Sequence, residues 1–233
     1  MAIGVLAQRS RSDLRVLCAK VAIATGVATP VLLASLRFLS PGFDPSFRMM
    51  SEYALGQYQW VLTLTFLSWG ISSWTLALAI GSQVTGRAGR IGLALLVVAG
   101  CGEALAAVFD IRMEPAHDLV GFPAICGLPV AAMLISRNLG SKPAWSSARR
   151  RLLVFANLTW ISLILFGASF VVMTAMFLHV YGGRLPSQAP ATLPHGVIGL
   201  VGWANRLFVL LYCAWAVVVA ATALRCSANR AER

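Results

Sequence analysis

Six long apolar runs, at about residues 17–39, 58–81, 91–109, 119–136, 152–181 and 196–224, constrain this chain more than any motif in it. Runs of about 18 or more residues with almost no charge match the roughly 30 Å hydrocarbon layer of a bilayer, where a helix satisfies its own backbone. The expected fold is therefore all-α: a polytopic membrane protein with six transmembrane helices, forming a single transmembrane domain over 1–233. A soluble domain averages about 45 to 50% apolar and 25% charged residues. Here the figures are 58% and 12%, which argues against that class.

The first run follows a basic start with Arg9, Arg11, Arg15 and Asp13. It is long for the apolar region of a signal peptide, and no convincing Ala-x-Ala site follows, so it reads as an uncleaved helix that Pro30 should kink. The fifth run, about 30 residues, exceeds the roughly 20 needed to cross and should tilt or protrude. Lys and Arg in the connections sort by side. Thirteen fall at the N-terminus, the second and fourth connections and the tail, against Arg48, Arg112 and Arg184 on the other side. By the positive-inside rule both termini are cytoplasmic. Topology thus accounts for the formal net charge of +11, and no nucleic-acid partner is expected.

Cys18, Cys101, Cys126, Cys213 and Cys226 all avoid the expected outer loops, so no disulfide framework is expected. His117-Asp-Leu-Val-Gly-Phe and His195-Gly-Val-Ile-Gly-Leu each open a helix after an outer loop. That short match leaves a duplicated hairpin open and does not support inverted repeats.

Orientation places Asp44, Glu52, Asp110, Glu114, Asp118, His117, His179 and His195 in or beside outer loops, Asp13 and Glu232 on the cytoplasmic side, and Glu103 within the third helix. Glu103 and Asp110 are seven residues apart, which on a continuous helix puts both on one face about 10 Å apart. Such an acidic stripe can relay protons or act as a general acid, and it can equally hold helices together. Its expected charge partner is Arg206, which lies beside Trp203 and Asn205; a snorkelling arginine is the other reading. Ser51 and Glu52 precede the second helix. Ser51 is either an N-cap or, with Glu52, part of the roof of a pocket.

Asp110, His117 and His195 are candidate ligands for a metal such as zinc, which accepts nitrogen and oxygen donors. No His-x-x-x-His pair or Cys-x-x-Cys spacing reinforces that reading, and no Gly-x-Ser-x-Gly elbow supports hydrolysis by Ser51.

The six-helix plan, Phe43-Asp-Pro followed by Ser51-Glu-Tyr-Ala-Leu-Gly, Asp110 closing the third helix, His117 opening the fourth and Gly202-Trp-Ala-Asn-Arg206 together resemble a bacterial membrane family, domain of unknown function 998. The resemblance implies that the outer-loop Ser-x-x-Ala-Leu-Gly, the Asp and the His occur together. It supplies an architecture and a residue set but no reaction.

The leading expectation is a multi-pass protein of the bacterial cytoplasmic membrane, in contact with membrane lipids, whose outer polar cluster handles a lipid-like or isoprenoid substrate entering from the bilayer. Asp110 or Glu103 would act as acid or base, His117 and His195 as base or metal ligands, and Arg206 as charge partner. The alternatives are a structural or accessory subunit and a small-solute or proton-coupled carrier. A carrier needs a continuous polar path, whereas the inner half offers mainly Asn157, Thr159, Ser72 and Ser73.

Overall fold

The computed structural model describes residues 2–185 and 190–231, with side chains described over 12–185 and 190–229. Glu232 and Arg233, and the side chains of Arg9, Arg11 and Arg230, lie outside the described residues. Six helices run in order: α1 (Ala2–Leu39), α2 (Gln59–Ile80), α3 (Gly86–Leu105), α4 (Ala116–Gly140), α5 (Arg149–Val180) and α6 (Val201–Ala231). Three short 3-10 segments, Met50–Leu55, Ile111–Met113 and Pro143–Ala148, sit in the connections. Each helix contains a stretch long and apolar enough to cross a membrane.

Each helix packs on its neighbours in sequence, α6 closes the ring against α1, and α2 and α6 also meet inside it. The centre is aromatic. Trp69 of α2 lies 6.4 Å from Phe208 and 6.0 Å from Tyr212 of α6, and Tyr212 lies 5.6 Å from Trp215. Trp215 Nε1 donates to Ser136 Oγ at 2.9 Å, which satisfies this buried indole. Small residues set the other interfaces, since without a hydrophobic drive between helices in lipid the gain comes from close backbone approach. A Cβ on Gly70 would stand 2.8 Å from the Gly100 carbonyl oxygen, and one on Gly102 would collide with that of Val120.

Helix boundaries depart from the apolar runs where polar residues continue or break a helix. Expected from about 119 to 136, α4 extends over His117 and Asp118 at one end and Arg137 and Asn138 at the other. The basic start is likewise helical, so α1 reaches back to Ala2 and continues through Pro30. In the opposite direction, α3 stops at Leu105 rather than about 109, and α6 begins at Val201 rather than about 196. The α6 delay has a local cause: Gly196 takes φ +85°, and Gly202 N–H donates to Ser46 O at 3.0 Å, holding the preceding strand of chain on the first loop.

Candidate functional site

The buried positions Gly92, Leu96, Ala99 and Glu103 of α3 recur at helical spacing, so the face that packs the bundle carries Glu103 into it. Glu103 is 2% exposed. Ser73 Oγ of α2 donates to Glu103 Oε2 at 2.7 Å and lies 3.1 Å from the Tyr212 hydroxyl of α6, so one carboxyl oxygen is tied to two other helices. The other oxygen, Oε1, is buried and has no hydrogen-bond partner.

Glu103 lines a cavity of about 400 Å³, inside the range usual for small-molecule sites. Its walls come from α2 through α6 and from the first loop: Phe66 and Trp69, Glu103 and Ala106, His117 and Phe122, Phe166, Asn205 and Phe208, with Met50 and Ser51 above. Trp69 is 4% exposed, and its indole Nε1 also lacks a partner. Trp69 and Glu103 line one space and each keeps a buried polar atom without a protein partner, as do Arg48 Nε, the Tyr53 hydroxyl and Arg206 Nη2 among residues that do not line it. His117 Nδ1 lies 2.8 Å from the Phe109 carbonyl oxygen. A carbonyl only accepts, so Nδ1 is the donor in this contact.

Asp110 faces elsewhere. The expected acidic stripe with Glu103 required a continuous helix, but α3 ends at Leu105 and the chain turns before Asp110, which lines a neighbouring pocket of about 300 Å³ with Gln59, Trp60 and Arg112. Its carboxylate accepts from Arg112 N at 2.9 Å and Nε at 3.0 Å, and pairs with Arg112 Nη2. The Arg112 side-chain hydrogen bonds are the main reason its carboxyl sits below the usual aspartate range. Ionised at neutral pH, Asp110 accepts bonds and has no proton to give.

Nor does Arg206 meet Glu103 or Asp110. Its Nη1 donates to the carbonyl oxygens of Arg48 at 2.8 Å and Gly202 at 2.9 Å, and the guanidinium lies 5.4 Å from the Tyr53 ring centroid. Among the described residues the ion pairs are Arg48–Glu52, at 2.7 Å, and Arg112–Asp110. The expected pairing fails because the first loop folds across the start of α6 and presents carbonyls to Arg206 before any acid can reach it.

Glu52 fastens that loop. Its carboxylate accepts from Arg48 Nη1 and, at 2.8 Å, from Met49 N–H, while Arg48 Nη2 reaches the Pro190 carbonyl oxygen at 2.9 Å. Met50 N–H donates to Asn205 Oδ1 at 3.0 Å. Ser51 lies inside the 3-10 segment rather than at its cap, where Met49 stands, and it lines the cavity. His195 is exposed in the loop before α6 and does not line the cavity. Among the described residues no three His, Cys, Asp or Glu side chains come together, so Asp110, His117 and His195 form no shared donor set for zinc. Of the candidates, Glu103, His117 and Ser51 share one space, while Asp110, Glu52, His195 and Arg206 do not line it. Trp69, Ser73 and Tyr212 were not legible as site residues. A serine two turns deep in an apolar run is the sort of partner a membrane carboxyl needs, and that was the available signal.

A family model described as Protein of unknown function (DUF998) matches residues 21–222, which span every helix that lines the cavity. No curated protein and no solved structure matches the chain.

Proposed function

Because this chain belongs to the family described as Protein of unknown function (DUF998), whose description carries no reaction, we propose its function from the cavity: it binds a lipid-like small molecule drawn from the bilayer. Glu103 and His117 are the groups placed to exchange a proton with the ligand's polar end. The observation that carries this reading is the unpartnered Glu103 Oε1 inside a largely apolar cavity. A carboxyl kept only to lock helices would have its remaining oxygen satisfied, as the carboxylates of Glu52 and Asp110 are. Phe122, at the rim, is 70% exposed on a membrane-crossing helix, which supports entry from the side.

The accessory-subunit reading fits Glu52, Asp110 and Arg206, each of which fastens loops. A carrier is less well supported, since Leu96, Leu128 and Ile135 are fully buried apolar side chains on the bundle's inward faces. The distribution of Lys and Arg supports cytoplasmic termini, and with them a site in the outer half of a bacterial cytoplasmic membrane.

Gly121 provides the test. It lines the cavity, and a Cβ there would meet nothing within 4 Å. Gly121→Leu therefore adds bulk beside the cavity from a Cβ that meets no clash. Protein extracted gently from its membrane and examined by native mass spectrometry should retain a small amphiphile that Gly121→Leu loses at unchanged unfolding temperature. Equal retention by both proteins, or by neither, would overturn the reading.

A further inference from the structure

We propose that the polar group this cavity recognises is a neutral hydroxyl, making its ligand a long-chain alcohol rather than an acid, an amine or a hydrocarbon. The proposal rests on the reading of the cavity as a lipid-like site and names what that site selects. Its basis is the pair of unpartnered buried groups, Trp69 Nε1 and Glu103 Oε1, on walls of the same space. Trp69 stands one turn before Ser73 on α2, and Ser73 anchors Glu103, so the two groups border neighbouring parts of one wall.

Their chemistry is restrictive. Indole N–H only donates, a carboxylate only accepts, and a carboxylic acid donates through one oxygen. A hydroxyl has one donor and two acceptor sites, so it can take the indole proton and still bond Glu103 in either protonation state. An ammonium group would meet the Glu114 and Asp118 carboxylates of the lining, yet it leaves Trp69 N–H unpaired and facing a positive charge. A carboxylate or phosphate puts negative charge beside Glu103, in a cavity whose lining also holds Glu114 and Asp118 and includes neither Arg48, Arg112 nor Arg206. A carbonyl satisfies both groups only when Glu103 holds the proton, and a hydrocarbon satisfies neither. Apart from Ser51, Glu114, His117, Asp118 and Asn205, the remaining lining is apolar, with Phe66, Phe122, Phe166 and Phe208 prominent, and suits an apolar chain.

The test uses the full chain in phospholipid nanodiscs, titrated separately with dodecanol, dodecane, dodecanone, dodecylamine and dodecanoate, with occupancy read by native mass spectrometry. Dodecanol should bind most tightly. Trp69→Phe, which keeps the ring and removes the N–H, should weaken dodecanol about three- to tenfold and leave dodecane unchanged, the range expected for one net hydrogen bond. Any of the other four probes binding the unaltered protein as tightly as dodecanol overturns the proposal, as does a Trp69→Phe protein that holds dodecanol undiminished. If Trp69→Phe does not fold, the ranking of probes on the unaltered protein decides alone. Failure of the underlying reading looks different: no probe binds, or Gly121→Leu binds them all as the unaltered protein does. Probes that bind alike and are all lost in Gly121→Leu leave the cavity reading standing and remove the hydroxyl.

Discussion

Ser73 Oγ donates to Glu103 Oε2 across the α2–α3 interface at 2.7 Å, and no other described side chain or backbone group bonds this carboxyl. Ser73→Ala leaves both carboxyl oxygens without a protein donor and should cost about 1–3 kcal/mol, the desolvation penalty of an abandoned buried polar group. The adjacent Ser72 is an internal control. Its hydroxyl donates at 2.9 Å to the Ala22 carbonyl oxygen, which belongs to a helix that already supplies an amide partner, so Ser72→Ala should cost less, about 0.5–1.5 kcal/mol. Thermal unfolding of the two variants in one detergent checks the order. Equal losses would mean that Glu103 does not depend on Ser73.

Asp110 sets a pH dependence at the rim. Arg112 holds its folded-state carboxyl below the ordinary aspartate value, so the stabilisation it brings is fully present above about pH 4. It is lost as pH falls through the lowered folded value, because the unfolded chain takes up the proton first. Asp44, held low chiefly by the Ser46 N–H, titrates in the same acidic window. The informative quantity is therefore the difference between the unaltered protein and Asp110→Asn. Their unfolding temperatures should differ by a constant amount from neutral pH down to about 4 and converge below it. The gap should be small, since the exposed guanidinium is screened by water. A gap that persists unchanged to the lowest workable pH would assign Asp110 a role other than its charge.

Much of this bundle was legible because lipid imposes it: apolar runs long enough to cross became helices, although the last one starts at Val201, about five residues later than its apolar run. The site was less legible. Glu103 and Asp110 share a face only if the helix between them continues, and the turn after Leu105 separates them into two pockets. Arg206 looked like a partner for acids because counting charges ignores carbonyls. Loop carbonyls outcompeted the carboxylates by proximity, a tertiary fact with no local signature. His117 was picked by type, and the donor role of its Nδ1 came from the Phe109 carbonyl, which a sequence does not position.

One amide contact between distant parts of the chain ties the roof of the cavity directly to a lining residue of α6. Met50 N–H donates to Asn205 Oδ1, and both residues are buried. Asn205→Ala strands that N–H and should lower stability by about 1–3 kcal/mol. The loss should be concentrated in the first loop, so hydrogen exchange should quicken at Met50 and its neighbours while the centres of α2 and α6 stay protected. Uniform acceleration across the bundle would show that Asn205 supports the whole fold rather than the roof.

Two glycines at different depths separate close packing from simple helix propensity. Gly102 precedes Glu103, and a Cβ there would run into the Val120 carbonyl oxygen and stand 3.0 Å from the Ala124 Cβ. Both obstacles belong to the body of α4 and have no flexible end to swing aside. Gly102→Ala must therefore push α3 from α4, at a cost of about 1–3 kcal/mol for overpacking, and it moves Glu103 relative to His117. Gly167 lies within α5 with nothing within 4 Å of its added Cβ. There alanine only restricts the unfolded chain and favours the helix, a gain of about 0.5–1 kcal/mol. Unfolding temperatures should accordingly move in opposite directions, down for Gly102→Ala and up slightly for Gly167→Ala. Ligand retention adds the decisive contrast: Gly167→Ala should keep the amphiphile, whereas Gly102→Ala should lose it even at temperatures where the protein is folded, because the wall carrying the carboxyl has shifted. Retention by a folded Gly102→Ala protein would mean that the α3–α4 contact does not set the shape of the cavity.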